Sequence, residues 1–111
     1  MIKKLSKFNV EMIEQPCDHM NINMLKQIKD LNKILIGVDQ SVFNLNDLFH
    51  IASLKAADLV VLGIHETGGI EGLKKAAAVA ESAGLNICIH GLHETGITTC
   101  AANKVASTIP N

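Results

Sequence analysis

The stretch "DLVVLGIHETGGIEGLKKAAAVAESAGLNICIH", Asp58 to His90, decides how this chain folds. It opens on a short apolar run, "LVVLGI" from Leu59 to Ile64. A longer segment follows in which Ile70, Leu73, Ala77 and Ala80 recur at helical spacing, and Gly84 is a natural stop. A second apolar run, "LNICI" from Leu85 to Ile89, closes it. The run lengths and β-branched content predict buried strands, and near-continuous apolarity suits a parallel sheet. The reading is therefore strand, helix, strand.

The same alternation extends in both directions. Upstream lie the apolar runs Asn9–Ile13 and Lys33–Val38. After the first, Met24, Leu25, Ile28 and Leu31 fall on one helical face; after the second, Leu48, Ile51 and Ala52 do. Downstream, Ile97, Cys100, Ala101 and Val105 line up, and Pro110 follows the end. Four strand–helix units in succession mean α/β and a parallel sheet. The strand ends fall near Glu14, Asp39, Gly63 and His90, steps of 25, 24 and 27 residues. That regularity suits a TIM-type barrel better than a dinucleotide-binding sheet, and neither a GxGxxG after a strand nor a P-loop is present. A complete barrel needs eight strands and about 250 residues. Residues 1–111 are thus expected to form a single partial domain of four consecutive βα units, half of a barrel.

Composition excludes several classes. Apolar residues make up 48% of the 111, so a core is possible, but aromatics are only 3% and it must be built from Ile, Leu, Val, Ala and Met. A net charge of −1 argues against the broad basic surface that nucleic acid requires. No run of about 18 apolar residues predicts a membrane span, and "MIKKLSKFNV" has no apolar signal core. Cys17, Cys88 and Cys100 form no CxxC pair, which fits reduced thiols in the cytoplasm.

In parallel α/β folds function gathers at the carboxyl ends of the strands. Those ends carry Glu14, Gln15 and Pro16; Asp39, Gln40 and Ser41; Gly63, His65 and Glu66; and His90, His93 and Glu94. Two carboxylates on adjacent strand ends suit a hard cation such as Mg2+. The motif His-Glu-Thr-Gly occurs twice, in "GIHETGG" (63–69) and "GLHETGI" (91–97). A threonine before a helix can accept a hydrogen bond from its free first-turn N–H groups, so Thr67 and Thr95 are expected to cap the helices that follow, with glycine allowing the tight turn.

The spelling of these ends is more specific. "VEMIEQP", "IGVDQSV" and the segment from Ala57 to Asn111 resemble the C-terminal barrel of the enolase superfamily, nearest to mandelate racemase and muconate lactonizing enzymes, from about Asn9 to the end. The resemblance implies abstraction of a proton α to a carboxylate, with Mg2+ stabilising the enediolate. It matches Glu14 and Asp39 to the metal ligands of the fourth and fifth barrel strands, so that the chain resembles strands four to seven. The third-strand ligand, the second-strand lysines, the eighth strand and the capping domain have no counterpart in these residues.

At the sixth-strand position the family carries a Lys, or an Asp that supports a catalytic His; here stands Gly63. His65, two residues on, would point the same way if the strand continued, and otherwise is a polar residue of the rim. His90 matches the family's seventh-strand base, and Glu94 an acidic position that supports the site; the plain alternative is a strand-end histidine with no reaction to perform. Glu66 and His93 acquire no role. Cys17 reads as an inert small side chain, Lys74 and Lys75 as solvated, Met12, Met20 and Met24 as packing, and His19 and His50 as surface residues of helical stretches.

Three classes of function follow. The first is an enzyme acting on a small carboxylate substrate once another chain completes it, inactive alone. The second is a non-catalytic remnant. The third is a self-associating or metal-binding half barrel. An open half barrel exposes two sheet edges and an apolar inner face, which predicts a homodimer through that face.

Overall fold

The computed structural model describes residues 2–31, 33–91 and 94–110. A short helix α1 (Ile2–Leu5) and a 3-10 turn (Ser6–Phe8) lead into β1 (Met12–Glu14). Then α2 (Ile22–Asp30), β2 (Leu35–Val38), α3 (Leu45–Leu54), β3 (Leu59–Leu62), α4 (Ile70–Ser82), β4 (Asn86–Ile89) and α5 (Gly96–Ala106) alternate to the end. The strands form one sheet in the order β1-β2-β3-β4, every pair parallel. This is the α/β arrangement expected of half a barrel. The amino-terminal helix has no counterpart in the sequence reading.

One face of the sheet is the core. Ile36, Val38, Val60 and Leu62 point from β2 and β3 into it, with Ile13, Ile87 and Ile89 of the outer strands partly buried beside them. The helices cover this face with Leu25 from α2, Leu48 and Ile51 from α3, Leu73, Ala76 and Ala80 from α4, and Val105 from α5. Burying each of the fully buried leucines and isoleucines here contributes about 1.5–3 kcal/mol.

The helical faces differ in part from those expected. Leu25 and Ile28 face the sheet, but Met24 is 46% exposed and Leu31, which ends α2, is exposed as well. Ile70 at the start of α4 and Ile97 at the start of α5 lie in the open, and so does Cys100; Ala102 takes the buried place on α5 instead. Met20 is exposed rather than packed, and His19 sits in a turn rather than a helix, while His50 lies exposed on α3.

Polar contacts fix the amino ends of the strands. Asp58, just before β3, accepts from the Ile36 N–H at 2.9 Å and pairs with Lys29 of α2 at 2.9 Å. Lys29 also donates to the Ala57 carbonyl. These bonds tie α2, β2 and β3 together at the end opposite the candidate site.

Candidate active site at the carboxyl ends of the strands

Side chains alternate across a strand, so the face opposite the helices carries every second residue. On it lie Met12 and Glu14 of β1, Leu35 and Gly37 of β2, Leu59 and Val61 of β3, and Asn86 and Cys88 of β4. Gly37 is needed there: a Cβ would stand 2.9 Å from Met12 Sδ and 3.3 Å from Leu59 Cδ2. Continuing the same alternation past the strand ends leads to Asp39, Gly63 and His90.

Gln15 builds the first part of the site. It turns the chain after Glu14 with φ 40, an uncommon value for a residue with a side chain. Its N–H donates to the Gly37 carbonyl at 2.9 Å. Its side-chain oxygen accepts from the N–H groups of Asp39 and Ser41 at 3.1 and 3.2 Å, and its amide nitrogen donates to Ser41 Oγ at 2.9 Å and to the Cys17 carbonyl at 3.2 Å. The buried Ser41 hydroxyl donates in turn to the His19 carbonyl. Gln15 therefore latches the Asp39 turn to the end of β1. The sequence motif contained this residue without revealing its use.

Asp39, Gly63, His65, Glu66, His90 and Glu94 line a cavity of about 250 Å³ whose apolar wall is Val42, Phe43 and Val61. That is below the roughly 300 Å³ at which small-molecule pockets begin. His90 Nε2 lies 3.7 Å from Glu66 Oε2 and 3.9 Å from Asp39 Oδ1. These are ion-pair separations, longer than hydrogen bonds. The side chains are a fifth to a third exposed. Asp39 Oδ2 also accepts from the Gln40 amide. One oxygen of Glu94 is buried without a hydrogen-bond partner among the described residues.

Of the residues singled out in sequence, Asp39, His90 and Glu94 meet in this cavity, and His65 is exposed at its rim. Glu14 is exposed at the end of β1, with its Cα registered against Gly37, and does not line the cavity. Glu14 and Asp39 are hard oxygen donors of the kind Mg2+ takes. Their number falls short: among the described residues no group of three or more His, Cys, Asp or Glu could hold a metal ion. His93 lies outside the described residues.

The repeated motif proves unequal. Thr95 caps α5, its oxygen accepting from the Thr98 N–H at 3.4 Å, as expected. Thr67 does not cap α4, which starts from Gly69 with no side-chain cap. The Thr67 hydroxyl instead donates to the Gly63 carbonyl at 2.7 Å, closing a turn over residues 63–67. Gly68 and Gly69 then take φ 82 and 98, conformations that favour glycine. Glu66, which had no role in the sequence reading, is the residue this turn carries back over Gly63. A glycine three residues before a glutamate, at a strand end and written twice, was the available signal.

Cys17 lies near the Gln15 latch, its thiol pushed above its ordinary value by burial and then by the charge of Asp18. This fits an unreactive side chain. Cys17, Cys88 and Cys100 are all free. No helix among the described residues is long and apolar enough to cross a membrane.

Comparison with known proteins agrees with this geometry. Residues 1–111 match the family described as enolase C-terminal domain-like. The chain is 32% identical over 110 residues to a chloromuconate cycloisomerase of Cupriavidus necator, covering 99% of this chain and 30% of that protein. It is 32% identical over 99 residues to the L-Ala-D/L-Glu epimerase of Bacillus subtilis, covering 88% of this chain and 27% of the epimerase. A substrate-liganded structure of a Bacillus subtilis L-Ala-D/L-Glu epimerase superposes with a TM-score of 0.92 at 29% identity, over 96% of this chain and 30% of that one. The muconate lactonizing enzyme of Pseudomonas putida gives 0.92 at 26% identity, with the same coverage. The chain spans about 30% of the length of these relatives.

Proposed function

We propose, because the chain belongs to the enolase C-terminal domain-like family, that its residues supply strands four to seven of a barrel that removes a proton α to a carboxylate. The reading is carried by one observation: Asp39 after β2 and His90 after β4 meet at one cavity at the carboxyl end of the sheet, across the end of β3 between them, and Gln15 latches the Asp39 turn to the strand that ends in Glu14. In it Glu14 and Asp39 are two of the oxygen ligands for Mg2+, which when bound would supply positive charge to the reacting carboxylate. His90, whose ring lines the cavity, takes the proton, and Glu94 supports the site electrostatically. The substrate is a small carboxylate, bound once another chain contributes the remaining strands.

The 111 residues alone are then expected to show no racemase, lactonizing or dehydratase turnover. Calorimetric titration of Mg2+, with Glu14→Gln and Asp39→Asn as controls, tests the ligand assignment. Binding that disappears in both variants supports it. Binding that survives both, or no binding to a folded chain, removes it. Exchange of an α-proton of a carboxylate catalysed by the chain alone would overturn the expected inactivity.

A second reading, a self-associating half barrel without catalysis, is favoured by the barrel-side face. Leu35 on that face is 43% exposed, and β1 and β4 are the unpaired edges of the sheet. The occupant in this reading is a second copy of the chain. Light scattering at micromolar concentration distinguishes a dimer from the monomer that would exclude it.

A further inference from the structure

We propose that Glu66 is the positioning carboxylate of His90, delivered through the space that glycine leaves at position 63. The inference rests on the reading of His90 as the group that takes the proton. A Cβ on Gly63 would stand 1.9 Å from Glu66 Oε2 and 2.5 Å from His90 Nε2. The carboxylate and the imidazole edge thus share the volume that any side chain at 63 would fill. The φ of Gly63 is not positive, so the backbone itself would accept other residues. What calls for glycine is the neighbouring pair of side chains.

The surrounding turn is built to return Glu66 to this place. The Gly63 carbonyl accepts from both the N–H and the hydroxyl of Thr67, at 3.2 and 2.7 Å. The Thr67 carbonyl is lodged against Gly72 of α4, where a Cβ would stand 1.6 Å away. The turn is therefore pinned at strand end and helix, with Glu66 between. The second copy of the motif repeats the fold-back more loosely: a Cβ on Gly91 would lie 3.3 Å from the carboxylate of Glu94.

The consequence is two carboxylates at 3.7 and 3.9 Å from the His90 Nε2, Glu66 from one strand end and Asp39 from the next. A histidine that transfers a proton needs a partner that fixes its tautomer and orientation; a carboxylate at Nε2 keeps a hydrogen on that nitrogen and leaves Nδ1 as the basic one. Such contacts are often long without substrate and tighten in the working complex. Glu66 keeps this function available in a chain whose sixth-strand position carries no side chain.

The test is a long-range proton–nitrogen spectrum of the labelled 111-residue chain, recorded at rising pH until the imidazole signals no longer move. His90→Asn identifies the His90 signals. Glu66→Ala should move the Nε2 resonance by several parts per million toward the value of a mixed tautomer, and Gly63→Ala should do the same with Glu66 still present. Gly63→Asp added to Glu66→Ala supplies a carboxylate from the strand end and should bring the resonance back. An unmoved resonance in Glu66→Ala, or no recovery in the folded double variant, overturns the proposal. Should Glu66→Ala lose its fold, Glu66→Gln decides in its place by the same criterion. The spectra need neither metal nor substrate, so their outcome is independent of the Mg2+ titration.

Discussion

Gln15 and Gly72 each do more than their residue type suggests. The Gln15 side chain satisfies two backbone N–H groups of the Asp39 turn. Gln15→Ala leaves both without that acceptor, and the expected loss is about 1–3 kcal/mol in urea unfolding. A change within error would mean that water replaces the amide at no cost. Gly72 reads in sequence as a weak helix former and no more. Its requirement is tertiary, because the atom nearest an added Cβ is the Thr67 carbonyl, which is backbone and cannot swing away. Gly72→Ala should therefore cost about 3 kcal/mol or more. Gly84→Ala, at φ 72 with open space around it, should cost only about 1–2 kcal/mol. Equal losses in thermal or urea unfolding would contradict this ordering. Glu66 escaped the sequence reading for a similar reason. Gly63 looked like a lost side chain, and only the folded turn discloses that another fills its place.

The elements themselves were legible. Three of the four apolar runs contain their strands, and the first overlaps β1 but stops one residue short of Glu14, because a run of consecutive apolar residues marks a strand of a parallel sheet. Helix phase was less so. A short stripe of alanines and leucines leaves the terminal turns ambiguous, and Ile70 and Ile97 fit the stripe while standing outside the core. Capping was legible in kind but not in place: Thr95 caps, whereas Thr67 does not. The strongest cap is Asn44, whose side chain accepts from the N–H groups of Asn46 and Asp47 at 2.9 and 3.0 Å. Asn44→Ala should cost about 1–2 kcal/mol, and Thr95→Ala, which loses one backbone bond of 3.4 Å and an exposed hydroxyl contact with Thr98, about 0.5 kcal/mol. Circular dichroism during urea unfolding measures both, and a larger loss for Thr95→Ala would show that the turn after β4 matters more than the cap.

At the scale of the molecule, the question is what covers the barrel-side face. Cys88 reports on it, because it is exposed and lies opposite the core-facing Ile87 and Ile89. Cys100 is also exposed but sits on α5, away from that face. Closure by a second copy would protect Cys88 and spare Cys100. It would also bring together two rims that each carry Asp39, Glu66 and Glu94, and like charges resist such an approach unless salt screens them or a cation intervenes. The expected result is that Cys88 alkylation slows relative to Cys100 as protein concentration rises, and slows further with added Mg2+. Cys17 should react last throughout, since burial and the Asp18 charge hold its thiol protonated above the ordinary value of 9.0. The sign for stability follows: as pH climbs past 9.0 the unfolded chain ionises Cys17 first, so stability falls through that window. Mass spectrometry of timed alkylation gives all three rates. If Cys88 and Cys100 keep a constant ratio at every protein and Mg2+ concentration, the face stays open, and the partner must be a chain whose rim is not acidic.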